Sequence, residues 1–138
     1  MIELVKWSDE FQTGLLWQDF QHKELLDNIS LLNNSIQLRI DDTQIEKMYM
    51  FLSNYVNQHF AIEESYMKKY GYPNIKEHLE EHSEFINCLI LLDKHKQESN
   101  VETRTLESVA LCKELNDWFI THIQTYDKKL GEFLGNKP

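Results

Sequence analysis

Histidines and carboxylates recur at four-residue spacing through the middle of this chain. His59 and Glu63 form one such pair and His78 and His82 another. Residues four apart stack on one face of a helix. Three imidazoles and a carboxylate would therefore converge from two adjacent helices, and that is metal-ligand chemistry. Gly71-Tyr72-Pro73 separates the two pairs and reads as a stop and turn. His22 and His122 repeat the theme near either end of the chain, and Asp127 follows His122 by five residues. Five residues turn an ideal helix by roughly 140°. For Asp127 to share a site with His122, the helix must bulge or end between them.

The elements that would carry these residues are all helical. Residues 1–18 read as an arm, with Trp7, Phe11, Leu15, Leu16 and Trp17 too apolar for a free tail and Gly14 interrupting them. Asp19 is a suitable N-cap for a first helix. Its inward stripe runs His22, Leu25, Ile29, Leu32, Ile36 in steps of three and four. A second helix over 43–69 shows Ile45, Met48, Leu52, Tyr55, His59, Ile62 and Tyr66, with Glu63 beside the stripe. A third, over 74–97, shows Ile75, His78, His82, Phe85, Leu89 and Leu92. A fourth begins near Thr103 and turns Leu111, Leu115, Trp118 and His122 inward, and a short tail can pack Leu130, Phe133 and Leu134 back. The expectation is an all-α, up-down-up-down four-helix bundle with an N-terminal arm, forming a single domain over 1–138.

Bulk composition narrows the partners. Four Gly and two Pro are little punctuation for an all-β fold. A net charge of −9 argues against nucleic acid and anionic membrane, which both need basic patches. Cys88 and Cys112 do not make a disulfide framework and read as small buried hydrophobes. The N-terminus lacks the cationic start and apolar run of a signal peptide, and no 18-residue apolar stretch spans a membrane. A cytoplasmic monomer is the expectation.

Five of the six histidines, His22, His59, His78, His82 and His122, lie on inward positions of four helices. Buried neutral imidazoles without partners each cost a few kcal/mol, and metal binding satisfies them together. Five imidazoles and two carboxylates exceed the four ligands usual for one zinc and suit two metals. If Glu63 and Asp127 both bridge, with one oxo or hydroxo group, a metal with three histidines is six-coordinate. Its partner with two is five-coordinate, so one position stays open. Imidazole-rich sites favour transition metals such as iron. His78-Leu79-Glu80-Glu81-His82 also spells the H-x-x-E-H of zinc peptidases, with Glu81 as general base, but that leaves His22, His59 and His122 unexplained.

Taken together, several segments resemble the hemerythrin family, and specifically its bacterial single-domain members. They are Trp7 and Gly14 in the arm, Asp19-Phe20-Gln21-His22, His59-Phe60-Ala61-Ile62-Glu63-Glu64, Gly71-Tyr72-Pro73, His78 with His82, and His122-Ile123 with Asp127. The resemblance covers nearly the whole chain. It implies a non-haem di-iron site that binds O2 reversibly, and a binding protein rather than an enzyme. By the same resemblance, His78, His82 and His122 hold one iron, His22 and His59 hold the other with the open position, and Glu63 and Asp127 bridge. Leu25, Trp118, Phe119 and Ile123, one turn from ligands on the inward face, are expected to wall the O2 cavity. An apolar wall without a titratable group favours holding O2 over cleaving it. Trp17 and Phe20 flank the first ligand and are expected to narrow the entry route. Two other readings on the same bundle are a di-iron redox enzyme and an O2 or redox sensor.

Overall fold

Several helix boundaries in the computed structural model, which describes residues 3–137, have a local cause. The first long helix, α1 (Leu16–Gln37), is not capped by Asp19. The helix begins three residues earlier, with Leu15 as the flanking residue, and Asp19 reaches back from the first turn. Its Oδ1 accepts from the Thr13 N–H at 2.8 Å and the Thr13 hydroxyl at 3.0 Å. A carboxylate there satisfies an approaching donor and complements the helix dipole at once. Helix α2 (Asp42–Tyr70) stops at Gly71, whose φ of 64° is the left-handed conformation that glycine adopts without strain. Helix α3 spans Ile75–His95. Helix α4 (Val101–His122) starts two residues before Thr103 because the Asn100 side chain accepts from the Thr103 N–H at 2.9 Å.

Consecutive helices are neighbours, and α1 also packs on α4. That closes the up-down-up-down four-helix bundle read from the sequence. Helix α4 runs into a π-helical turn, Ile123–Asp127, and then a short helix α5 (Lys128–Gly135). Among the described residues there is no strand, and no helix is long and apolar enough to cross a membrane. Cys112 is fully buried, and burial pushes its thiol up to about 12; Cys88 is partly buried.

The arm lies across the bundle, although Leu16, Trp17 and Gln18 belong to α1; its first two residues, and Pro138 at the far end, lie outside the described residues. Asn116 holds it as a second strand would, accepting from the Val5 N–H at 3.1 Å and donating to the Val5 carbonyl at 3.0 Å. Further on, the arm crosses α5 where only glycine fits. A Cβ on Gly131 would lie 2.7 Å from the Thr13 carbonyl oxygen.

Two apolar clusters form the core. The larger includes Leu25, Ile29, Leu52, Val56, Phe60, Phe85, Phe119 and Ile123; the smaller is Met67, Tyr72, Leu130 and Leu134. The tail residues Leu130 and Leu134 thus pack back as expected. On α2 the inward face differs from the expected stripe. Val56, His59, Phe60, Glu63 and Met67 are buried, while Ile62 and Tyr66 are exposed. An aliphatic reading prefers Ile62 to a carboxylate, but turning Glu63 inward carries Ile62 about 100° away, toward solvent. Glu63 lies between the two apolar clusters, and the ligand set gathers around it.

Candidate metal centre

Alternating helix direction brings the candidate residues to one end of the bundle. His22 lies near the start of α1, Glu63 near the end of α2, His78 and His82 at the start of α3, and His122 at the end of α4. The π turn supplies Asp127. Its hydrogen bonds run from residue i to i+5, which brings residues five apart onto a common face. The irregularity expected between His122 and Asp127 is therefore present. All seven residues are buried, with Glu63, Asp127, His22 and His122 completely so.

Each carboxylate divides its two oxygens between two groups of imidazoles. Glu63 Oε1 faces His78 Nε2 at 3.4 Å and His82 Nε2 at 3.0 Å. Glu63 Oε2 faces His59 Nε2 at 3.0 Å and His22 Nε2 at 3.7 Å. Asp127 Oδ1 faces His122 Nε2 at 3.1 Å and His78 Nε2 at 3.2 Å, and its Oδ2 faces His22 Nε2 at 2.9 Å. Two four-residue sets result, Glu63-His78-His82-His122 and His22-His59-Glu63-Asp127, with the donor atoms of each within 4.8 Å of one another.

The fit to metal is tested by what these atoms lack. His22 Nε2, His59 Nε2, His122 Nε2 and both Asp127 oxygens are buried without a hydrogen-bond partner among the described residues. They approach at hydrogen-bond distance yet are not aligned to bond one another. Ligands about 2.1 Å from one ion and at right angles lie about 3 Å apart, and the observed separations are of that size. The residues present fit a pair of ions.

Outer contacts fix the imidazoles. His59 Nδ1 meets Gln21 Oε1 at 2.6 Å, His82 Nδ1 meets Glu64 Oε2 at 2.9 Å, and His122 Nδ1 meets Glu81 Oε1 at 3.3 Å. Donating one ring N–H outward presents the other nitrogen inward as a lone pair. Glu81 is thus occupied by His122, and the bond holds its carboxyl below the usual range. That removes it as the general base of a peptidase motif. Aromatic rings clamp the same imidazoles: Phe60 stacks on His82 at 3.7 Å, and Trp118 stacks on His122 at 4.6 Å, with Tyr126 also stacked on His122 at 5.5 Å.

Electrostatics bind the set together. Burial alone would push His22 and His78 down, but the adjacent Asp127 and Glu63 carboxylates raise both to about 9. Burial would raise Glu63 and Asp127, yet both are held well below the carboxylate range, Glu63 by His59 and His22 first and Asp127 by His122 and His22. Without metal, protons do part of the work of cations.

Of the expected cavity residues, Leu25, Phe119 and Ile123 are completely buried. Phe119 meets the His22 ring edge-on at 5.5 Å and lies 6.3 Å from His59. Trp118 is only partly buried and stacks on His122, in the other set. Phe20 is 64% exposed and Trp17 stacks on Tyr66 at 5.3 Å. The sequence reading did not single out Gln18, and it did not foresee that Gln21, Glu64 and Glu81 pair with the histidines. Their only signal is position: Gln18 lies four residues before His22, and the others adjoin a ligand in sequence.

Comparison with known proteins agrees with this geometry. Residues 13–134 match the family model described as hemerythrin HHE cation binding domain. A bacteriohemerythrin of Methylococcus capsulatus is 31% identical over 134 residues, covering 95% of this chain and 97% of its own. One from Pseudomonas paraeruginosa is 30% identical, over 88% of this chain and 75% of its own length. A solved hemerythrin with one leucine-to-tyrosine substitution superposes with a TM-score of 0.79 at 26% identity, over 95% of this chain and 97% of that one.

Proposed function

Because the chain belongs to the hemerythrin HHE cation-binding family, we propose that it binds O2 reversibly at a centre of two non-haem irons. His78, His82 and His122 would hold one iron, His22 and His59 would hold the other, and Glu63 and Asp127 would be shared between them. When bound, the two irons would supply the electrons that reversible O2 binding needs. The single observation that carries this reading is the three-to-two division of imidazoles around shared carboxylates. That division would leave one of two ions with one protein ligand fewer than the other.

The chain's own residues hold, aim and exclude. Gln21, Glu64 and Glu81 keep three ligand rings oriented through their outer nitrogens. Glu63 and Asp127 would offset part of the charge of the two ions. Leu25, Phe119 and Ile123 are completely buried and would supply an apolar wall that excludes water and offers no titratable proton. Phe119 is its central member, since its ring borders both His22 and His59. Trp118 belongs to the clamp on His122 instead.

The test is anaerobic reconstitution with Fe(II), followed by optical spectra under O2 and then argon. A coloured form that appears with O2 and bleaches under argon supports the reading. One-way oxidation, or steady consumption of an electron donor, assigns a di-iron redox enzyme instead.

A further inference from the structure

Gln18 is completely buried on α1, four residues ahead of His22 and so on the same inward face. Its Nε2 donates to Glu63 Oε2 at 2.8 Å. That is the oxygen turned toward His59 and His22. Charge dictates this orientation of the amide, since the carbonyl end would repel a carboxylate. Gln18 Oε1 is buried and has no hydrogen-bond partner among the described residues. The two polar atoms of a planar amide are about 2.3 Å apart, so Oε1 lies within roughly 5 Å of Glu63 Oε2 and beside the His22–His59 half.

For packing alone this is a poor choice. A bond to a charged acceptor stabilises, but an unpartnered buried oxygen costs a comparable amount. An apolar side chain of the same length would serve the fold as well. The two carboxylates are also treated unequally, because neither oxygen of Asp127 has a hydrogen-bond partner among the described residues.

We propose that Gln18 is a positioning residue for the His22–His59 half of the centre: its amide N–H fixes Glu63 Oε2 toward that half and sets metal affinity there. The inference rests on the metal reading of the site given above. Orientation outweighs the small loss of basicity that a donor causes, because a bridging carboxylate must present both oxygens at fixed angles. Substitution of such outer partners changes metal affinity by about 10–100-fold.

The test is a Co2+ titration of the metal-free protein followed by visible absorption, in the natural chain, Gln18→Met and His59→Ala. Gln18→Met keeps the length and removes both polar atoms. The expected result is a loss of about 10–100-fold in one binding step only, with the metal-free melting midpoint within a few degrees of the natural chain. His59→Ala should abolish that same step. If Gln18→Met leaves both steps unchanged while His59→Ala removes one, the inference is overturned and the metal reading stands. If both steps weaken together with a fall in the midpoint, Gln18 is only a packing residue and the inference is again overturned. If His59→Ala changes neither step, the metal reading itself fails.

Discussion

Loading the metal-free protein should expel protons, and the number follows from the site. His22 and His78 are raised from 6.5 to about 9 by Asp127 and Glu63 against the opposing effect of burial. Each rise corresponds to a preference on the order of 3 kcal/mol for the protonated ring. At pH 7 both are almost fully protonated, and ligation requires the neutral form. Glu63 and Asp127 are already ionised, so they release nothing. Metal uptake at pH 7 should therefore release about two protons from His22 and His78, with His122, also raised, adding to them. Apparent affinity should climb roughly a hundredfold per pH unit below about pH 9 and level off above it. Calorimetry of Zn2+ or Co2+ binding in buffers of different ionisation enthalpy counts these protons. Release of less than one proton at pH 7, or an affinity flat between pH 7 and 9, would refute the reasoning. The same groups set the stability of the metal-free chain. The raised histidines contribute stability that is complete below 6.5 and lost as pH climbs through about 9. The lowered carboxylates contribute stability that is complete above 4.5 and lost in acid. The metal-free protein should melt highest between about pH 4.5 and 6.5, which thermal scans across pH will check.

Substitutions separate the parts of the site. His22→Ala should lower iron from two per chain toward one and abolish reversible O2 binding; full retention of both would show that His22 is not a ligand. Glu81→Ala frees His122 Nδ1 and should weaken the three-histidine site by about 10–100-fold, read as one step of a metal titration. Gly131→Ala drives a Cβ to 2.7 Å from the Thr13 carbonyl. Displacing the arm should cost about 1–3 kcal/mol and lower the melting midpoint by roughly 3–10 °C.

The candidate ligand cluster was legible in the sequence because metal chemistry demands residue type and spacing together. His59 with Glu63 and His78 with His82 fall four apart on their helices. The π turn was legible for the same reason: five residues between His122 and Asp127 cannot share a regular helical face. The His59–Glu63 pair places the carboxylate on the site-facing side of α2, but the apolar stripe pointed to a different rotation. Hydrophobic periodicity weighs Ile62 and Tyr66 above Glu63, and packing against the other helices settles the competition in favour of the carboxylate. The pairings of Gln18, Gln21, Glu64 and Glu81 were missed because each partner lies 18–45 residues away on another helix, and such pairings depend on helix rotations that periodicity does not fix. The start of α1 was misplaced because Asp19 suits the cap chemically but bonds back to Thr13 from inside the first turn.

The central claim is a two-iron centre that takes up O2 and returns it. Its most direct test is the stoichiometry of O2 uptake by the reduced, iron-loaded protein in an oxygen electrode, with iron measured on the same sample. The account predicts one O2 bound for every two irons, recovered as O2 when the gas phase is evacuated. Uptake without recovery, or uptake that continues past that ratio, would contradict it.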